Sequence, residues 1–178
     1  MFDSDTLNKF AALGKEHRIE ARRDIQEIYK SGNPDAESIK EQCPFSSIES
    51  KMGMPMFIRD YTDFYSSKNH AHNVGVMMRG PDNALQPNWS HLPVGYHGRA
   101  SSVVLSGTSI RRPRGQTSAD LITPALTDCK LMDFELEMGS YMSHGNDLGN
   151  PIAIGEASDH IFGHCLLNDW SARDIQKW

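Results

Sequence analysis

The sequence lacks the features that mark secreted, membrane and disulfide-rich proteins. Its three cysteines, Cys43, Cys129 and Cys165, are odd in number and far apart, without C-x-x-C spacing, so they favour neither a disulfide framework nor a zinc site. No apolar run approaches the roughly eighteen residues of a membrane helix, and no basic-then-apolar leader opens the chain. We therefore expect a cytoplasmic protein with no membrane partner.

A surplus of basic residues is also absent. The chain has 18 Lys and Arg against 23 Asp and Glu, a net charge of -5, so it carries no electrostatic footprint for a phosphate backbone. We expect no nucleic-acid partner. The hydrophobic fraction of 38% and the ordinary counts of 14 Gly and 9 Pro exclude a disordered or fibrous chain. A length of 178 residues suits one globular domain with a flanking piece.

The first 55 residues are predicted to be helical. From Asp5 onward, apolar residues fall on one helical stripe and charged residues cover the opposite side, which predicts a single amphipathic helix. Ser4 or Asp5 is expected to cap its start and Ser31–Pro34 to end it. A shorter helix is expected over Asp35–Gln42. Neither helix groups residue types used in catalysis, so we assign both to packing.

From residue 56 onward the sequence changes to short apolar runs separated by Gly, Pro and Asn turns, the pattern of β structure. The runs that we predict as strands are Met56–Ile58, Val74–Met77, Ser102–Leu105, Leu131–Met138 and Ile161–Leu167. The pattern predicts an α+β chain that is mostly β. Residues 1–55 form its helical segment, and residues 56–178 form the first part of a β-rich domain.

One predicted strand carries carboxylates at every second residue. The period of two places Asp133, Glu135 and Glu137 on one face and apolar side chains on the other. By itself this pattern is typical of a solvated acidic face. If the face points inward, the mutual repulsion of the carboxylates requires a cation, and oxygen ligands select a hard one such as Mg²⁺ or Ca²⁺.

Residues 59–70 form a second group, in which a carboxylate, a phenol and an imidazole lie close together in sequence. It contains Asp60, Asp63, Tyr61, Tyr65 and His70. Composition alone gives this group little weight, because a single histidine on a loop is more often a surface or hydrogen-bonded residue than a general base.

Residues 168–176 form a third group, directly after the last predicted strand. If these residues open a helix, Asp169, Arg173 and Gln176 share one of its faces. The alternative interpretation is a salt bridge at a helix end.

Several motifs, in order, resemble the fumarylacetoacetase (fumarylacetoacetate hydrolase) family. They are DYTDFYSS with His70 at residues 60–70, NW and LPVGYHGRASS at residues 88–102, FELEM at residues 134–138 and NDWSARDIQ at residues 168–176. The resemblance is strong over residues 56–178, and the helical stretch before it is similar to the end of that family's N-terminal domain. It implies a mixed β-sandwich roll whose catalytic domain continues, in that family, beyond the point matching Trp178.

The resemblance implies a metal site and a general base. Asp63, Glu135, Glu137 and Asp169 match ligands of Ca²⁺ or Mg²⁺, an all-oxygen set suited to a hard cation. His70 matches the base that takes a proton from water, a task for which an imidazole titrates in the right range.

The resemblance also implies substrate contacts. Tyr65, Arg79, Tyr96 and Gln176 match positions that contact the substrate, and the planar fork of Arg79 suits a carboxylate. Arg173 and Gln176 match donors to the oxyanion that forms when water adds, which makes both of them catalytic.

The implied reaction cleaves 4-fumarylacetoacetate to fumarate and acetoacetate, the last step of tyrosine and phenylalanine breakdown, with an enolate leaving group stabilised by the metal. The implied partners are a small β-diketo acid and, in the intact protein, a second copy in a homodimer. Two alternatives stay open. One is a related acylpyruvate hydrolase. The other is an inactive truncated chain that retains metal affinity or associates with an intact subunit.

Overall fold

The structure is a computed structural model that describes residues 2–43 and 46–178. Met1, Pro44 and Phe45, which fall in the predicted helical segment, lie outside the described residues. The helices, in chain order, are α1 Asn8–Ala11, α2 Lys15–Ile28, α3 Ala36–Gln42, α4 Lys68–Arg79, α5 Ala157–His160 and α6 Arg173–Lys177, with 3-10 turns at Pro81–Asn83 and Ala100–Ser102. The strands are β1 Thr62–Phe64, β2 Gly95–His97, β3 Arg114–Thr117, β4 Ala125–Asp128, β5 Met132–Asp133, β6 Leu136–Met142, β7 Ile161–Asn168 and β8 Ser171–Ala172.

The strands pair in two-stranded antiparallel sheets, β1 with β2, β3 with β4, β5 with β8 and β6 with β7. This mixture of helices and small sheets confirms the predicted α+β class. The chain divides into two compact units, one of residues 57–104 and one that joins the residues up to 56 with residues 105–178. Among the described residues, no helix is both long and apolar enough to cross a membrane.

The prediction of one long N-terminal helix is wrong, because the chain turns at Gly14. This residue has φ +93°, a left-handed conformation that glycine adopts without steric cost, and it ends α1 and begins α2. Leu7, rather than Ser4 or Asp5, precedes the first turn, and no side chain caps it. The shorter helix is confirmed as α3, which begins after Asp35.

The N-terminal helices are tied to the start of β7 within their own unit. Lys15 forms an ion pair with Asp159 at 2.8 Å, and Arg18 donates to the backbone carbonyl of Asp159 at 3.2 Å. The Arg18 guanidinium lies 5.5 Å from the centre of the Phe162 ring, a cation–π distance, and Phe10 meets the same ring edge-on. These contacts fix the end of β7 that lies farthest from Asn168.

Two of the predicted strands are wrong because the chain there is irregular, and a third because it is helical. Residues 56–58 and 103–105 contain no strand, and Val74–Met77 lies inside α4. The Ser67 hydroxyl accepts from the backbone N–H of His70 and caps α4, and the buried residues Ala71 and Gly75 are four apart, which is the helical period. Capping and helical spacing therefore outweigh the β-branched composition of this run.

Gly75 marks a close approach between α4 and the chain that follows it. It is buried, and a Cβ built at this position would overlap the backbone carbonyl of Ala84. Arg79 donates from Nη2 to the same carbonyl at 2.7 Å. The lack of a side chain at position 75 therefore allows the turn after α4 to pack against the helix.

Gly75→Ala should destabilise the protein, because the added methyl group pushes the Ala84 carbonyl away from the helix. We expect a loss of about 1–3 kcal/mol in the free energy of unfolding, measured by urea denaturation. Gly155→Ala is the matched control, since nothing lies within 4 Å of a Cβ built there, and it should change stability little. Equal transition midpoints for the two variants would contradict this packing.

Candidate active site

The acidic face of the predicted strand is half-buried at its two glutamates and exposed at Asp133. Glu135 and Glu137 are half-buried, whereas the alternating apolar residues Phe134, Leu136 and Met138 are 62%, 71% and 70% exposed. The interpretation of a solvated acidic face is therefore wrong for the two glutamates. The strand is also interrupted, since β5 ends at Asp133 and β6 begins at Leu136.

The pairing of β6 with β7 brings two predicted ligands together. Leu136 lies opposite Asn168 in the register, and the backbone N–H of Asp169 donates to the Glu135 carbonyl at 3.0 Å. A carboxylate oxygen of Glu137 and one of Asp169 lie within 4.8 Å of each other. Two half-buried carboxylates this close repel unless positive charge lies between them. They form a candidate acidic metal-binding cluster.

Asp169 lies outside the helix that carries Arg173, so the shared helix face predicted for a helix opening at residues 168–176 does not form. Ser171 and Ala172 form β8 and α6 begins only at Arg173, so Asp169 lies between β7 and β8. The backbone N–H of Arg173 donates to the Leu131 carbonyl at 2.9 Å, which fixes the start of α6 on the strand that carries Asp133.

Arg173 lies among the acidic side chains and Gln176. Its Nη1 contacts Glu135 Oε1 at 2.6 Å and donates to Gln176 Oε1 at 3.1 Å, while its Nη2 contacts Asp133 Oδ2 at 3.0 Å. Burial lowers the pKa of Arg173, but the hydrogen bonds to Glu135 and Asp133 outweigh it and raise the pKa overall. The guanidinium is thus a fixed positive charge beside Glu135. The salt-bridge interpretation is correct, with Asp133 and Glu135 as the partners.

In the unit of residues 57–104, Asp63 and Tyr96 lie opposite each other. Asp63 is on β1 and half-buried, and Tyr96 is its register partner on β2 and is 58% exposed. Strands β1 and β2 are short. The backbone N–H of Tyr65 donates to the Val94 carbonyl at 2.8 Å, which extends their pairing by one hydrogen bond. This places the carboxylate and the two phenols along one small ladder.

His70 lies in the first turn of α4, and not on the loop that we expected. Its ring meets the Tyr65 ring edge-on with centroids 5.5 Å apart, and the Tyr65 hydroxyl donates to the Ala71 carbonyl at 3.3 Å. Trp89 Nε1 donates to the Tyr65 carbonyl at 2.8 Å, which fixes the backbone of the tyrosine as well. The half-buried imidazole is therefore packed against an immobilised phenol.

Arg79 ends α4 and lines a pocket of about 250 Å³ together with Tyr65 and Trp89. Its Nε and Nη2 donate to the carbonyls of Asn83 and Ala84 at 3.1 and 2.7 Å. The Nε–Nη2 edge of the guanidinium thus holds the backbone, so a carboxylate that leaves these bonds in place would bind the edge formed by Nη1 and Nη2.

A buried contact that the sequence did not indicate holds α6. Cys129 is 1% exposed and its thiol donates to Asp174 Oδ1 at 2.8 Å, while the backbone N–H of Lys130 donates to Asp174 Oδ2 at 2.7 Å. Burial first, and then the hydrogen bond to Asp174, raise the pKa of the Cys129 thiol, so it stays a donor at neutral pH. The number and spacing of the cysteines gave no reason to predict a hydrogen bond between Cys129 and an aspartate.

Comparison with known proteins places this chain in a family. A family profile described as Fumarylacetoacetate (FAA) hydrolase C-terminal matches residues 60–178, and one described as Fumarylacetoacetase N-terminal matches residues 1–55. This chain belongs to the fumarylacetoacetate hydrolase family. The mixed helical and antiparallel architecture is compatible with the fold of that domain, and the resemblance seen in the motifs is confirmed.

Curated relatives match this member of the fumarylacetoacetate hydrolase family over its whole length. It is 53% identical to fumarylacetoacetase of Bos taurus and 53% identical to that of Homo sapiens, each over 182 residues, and 54% identical to that of Dictyostelium discoideum over 184 residues. Each match covers 100% of the chain and 43% of the relative. The chain therefore spans less than half the length of these relatives.

The carboxylate of Asp174 should stabilise the fold in a pH-dependent way. The hydrogen bonds from Cys129 and from the Lys130 backbone lower the pKa of Asp174 below its ordinary value of 3.8. A lowered folded-state pKa contributes stability above the unfolded value, and that contribution is lost as pH falls through the folded value.

The Asp174→Asn variant should therefore melt below the wild type at about pH 6, and the gap should close as the pH is lowered below about 4. Thermal unfolding at several pH values measures this difference in melting temperature. Cys129→Ser keeps a hydrogen-bond donor and should retain the wild-type pH dependence. A gap that stays constant across the series would contradict the role given to Asp174.

Proposed function

We propose that the intact protein hydrolyses the carbon–carbon bond of 4-fumarylacetoacetate to fumarate and acetoacetate, the last step of tyrosine and phenylalanine breakdown. The observation that carries the proposal is the identity of 53% with fumarylacetoacetases of two mammals along the entire chain. Because the chain spans 43% of those relatives, the proposal concerns the longer protein and not these residues alone.

We propose that Asp63, Glu135, Glu137 and Asp169 hold a divalent ion, Mg²⁺ or Ca²⁺. The donor set fits such an ion, because its ligand atoms are all carboxylate oxygens and each of the four residues is half-buried. The separation of at most 4.8 Å between oxygens of Glu137 and Asp169 is one that a shared cation can bridge. When bound, the ion would polarise the substrate oxygens and stabilise the negative charge of the leaving group.

His70 is proposed as the general base. Its imidazole accepts a proton from water at a ring nitrogen, and the resulting hydroxide adds to the substrate ketone. The packing against Tyr65 supports this role because it limits the orientations of the ring. Proton transfer by a positioned imidazole typically contributes about 10²- to 10⁴-fold to the rate.

Arg173 and Gln176 are proposed as donors to the oxyanion. Gln176 accepts through Oε1 from Arg173, so the donor that its side chain offers is the amide nitrogen. The guanidinium keeps its positive charge through the raised pKa, so it stabilises negative charge that develops only during the reaction. Tyr65, Arg79, Tyr96 and Gln176 are proposed as substrate contacts, and the pocket beside Tyr65 and Arg79 supports this for those two.

The remaining proposals concern the organisation of the intact protein. We propose a cytoplasmic homodimer that acts on a small β-diketo acid and binds no nucleic acid, and a division between the helical segment of residues 1–55 and the catalytic domain from residue 56. The net charge of -5 supports the lack of a nucleic-acid partner. Light scattering on the full-length protein tests the dimer. An acylpyruvate assayed beside fumarylacetoacetate tests the substrate, and faster cleavage of the acylpyruvate would favour the related hydrolase.

His70→Asn should lower kcat of the full-length enzyme on fumarylacetoacetate by about 10²- to 10⁴-fold, because the variant loses the proton acceptor. The assay follows the disappearance of the β-diketone absorbance. His72→Asn, on the exposed side of the same helix, is the matched control and should retain nearly wild-type kcat. Similar rates for the two variants would exclude His70 as the base.

Glu137→Gln should weaken Mg²⁺ and Ca²⁺ binding by at least about tenfold, since a charged oxygen ligand is replaced by a neutral one. Isothermal titration calorimetry on the full-length protein measures the affinity and the stoichiometry. Glu41→Gln, an exposed substitution on α3 that removes the same charge, should leave both unchanged. An unaltered affinity in Glu137→Gln would remove this residue from the ligand set.

A further inference from the structure

We infer that Asp133 is the residue that positions Arg173. This inference rests on the proposed function, because it concerns the donor that would stabilise the oxyanion. Asp133 belongs to the acidic strand by its spacing, yet the break at residues 134 and 135 separates it from Glu137: β5, which carries Asp133, pairs with β8, whereas β6 pairs with β7. Asp133 and Glu137 therefore lie in different sheets.

The guanidinium of Arg173 makes different contacts along its two edges. Nε and Nη2 both contact Oδ2 of Asp133 at 3.0 Å, so one carboxylate oxygen takes one whole edge of the guanidinium. Nη1 is left to contact Glu135 at 2.6 Å and Gln176 at 3.1 Å. Because the guanidinium is planar and rigid, fixing one edge fixes the direction of the other.

Asp133 is itself held in place. Its Oδ1 accepts from the backbone N–H of Phe134 at 2.9 Å, so both oxygens of the carboxylate are used. Its backbone is in register with Ser171, and the N–H of Arg173 donates to the Leu131 carbonyl at 2.9 Å. The backbone and the side chain of Arg173 are thus both anchored on residues 131–133.

The exposure of the pair indicates positioning more than stability. The Asp133 side chain is 49% exposed and that of Arg173 is 20% exposed. Because about half of the Asp133 side chain is exposed, water screens this ion pair from that side and reduces its contribution to folding. A carboxylate that orients a reacting group acts instead on the rate, and the loss of such supporting contacts typically costs about 10- to 100-fold.

The test is a double-mutant cycle in the full-length protein, with fumarylacetoacetate as substrate. Asp133→Ala should lower kcat by about tenfold or more, while KM, the Mg²⁺ affinity and the melting temperature stay close to wild type. Asp133→Asn keeps one acceptor, so its kcat should lie between those of the wild type and Asp133→Ala. Adding Asp133→Ala to Arg173→Gln should cause no further loss, since the residue to be positioned is already gone.

Asp128→Ala is the matched control. Asp128 forms an ion pair with Arg114 of the same length, 3.0 Å, which is more exposed and lies in a different sheet, and its removal should leave kcat unchanged. A wild-type kcat in Asp133→Ala would overturn the inference, as would an equal loss in the wild-type and Arg173→Gln backgrounds.

A second readout separates this inference from the proposed function. In protein labelled with ¹⁵N-arginine, the Nε–H signal of Arg173 should be protected from exchange with water in the wild type and lose that protection in Asp133→Ala. A wild-type protein that does not cleave fumarylacetoacetate would refute the proposed function, whereas an Nε–H signal equally protected in both proteins would refute the positioning role of Asp133.

Discussion

The balance of charge on the inner face of β6 is the constraint on which the site depends. Carboxylate oxygens of Glu137 and Asp169 lie within 4.8 Å of each other, and at an effective dielectric constant of about 20 two such charges repel by about 3 kcal/mol. Arg173 offsets part of the local negative charge, but its contacts are with Glu135 and Asp133. A bound divalent cation would offset the repulsion between Glu137 and Asp169, and the preference of such a cation for carboxylate oxygens supports the proposed metal site.

Other elements of the unit that contains β6 hold the charged side chains of this face in place. The β6–β7 pairing carries Asp169 to the end of the ladder, and contacts from α2 to Asp159 and Phe162 fix the opposite end of β7. The thiol of Cys129 holds α6 through Asp174, so that Arg173 begins the helix at a defined place. Packing far from the carboxylates therefore determines where the charged groups lie.

Sequence patterns predicted correctly the elements that depend on residues close together in the chain. Strand β7 was predicted correctly from an apolar run, and helix α3 was predicted correctly after the turn at residues 31–34. The strand predicted at residues 74–77 is wrong because this run lies in a helix that Ser67 caps and whose buried Gly75 packs against the backbone of Ala84. Alternation showed that the two faces of residues 132–138 differ, but it could not tell which one is buried, and here the apolar face is the exposed one. The contacts of Arg173 with Asp133 and of Cys129 with Asp174 join residues 40 and 45 positions apart, which no local rule detects.

The most direct test of the account is to locate a cation in crystals of the full-length protein. Mn²⁺ is a suitable probe, because it takes the oxygen ligands of Mg²⁺ and scatters anomalously. We expect an anomalous peak with carboxylate oxygens of Glu137 and Asp169 at coordination distances of about 2.0–2.6 Å. Ordered density for both side chains with no peak beside them, or with the ion held elsewhere, would contradict this expectation.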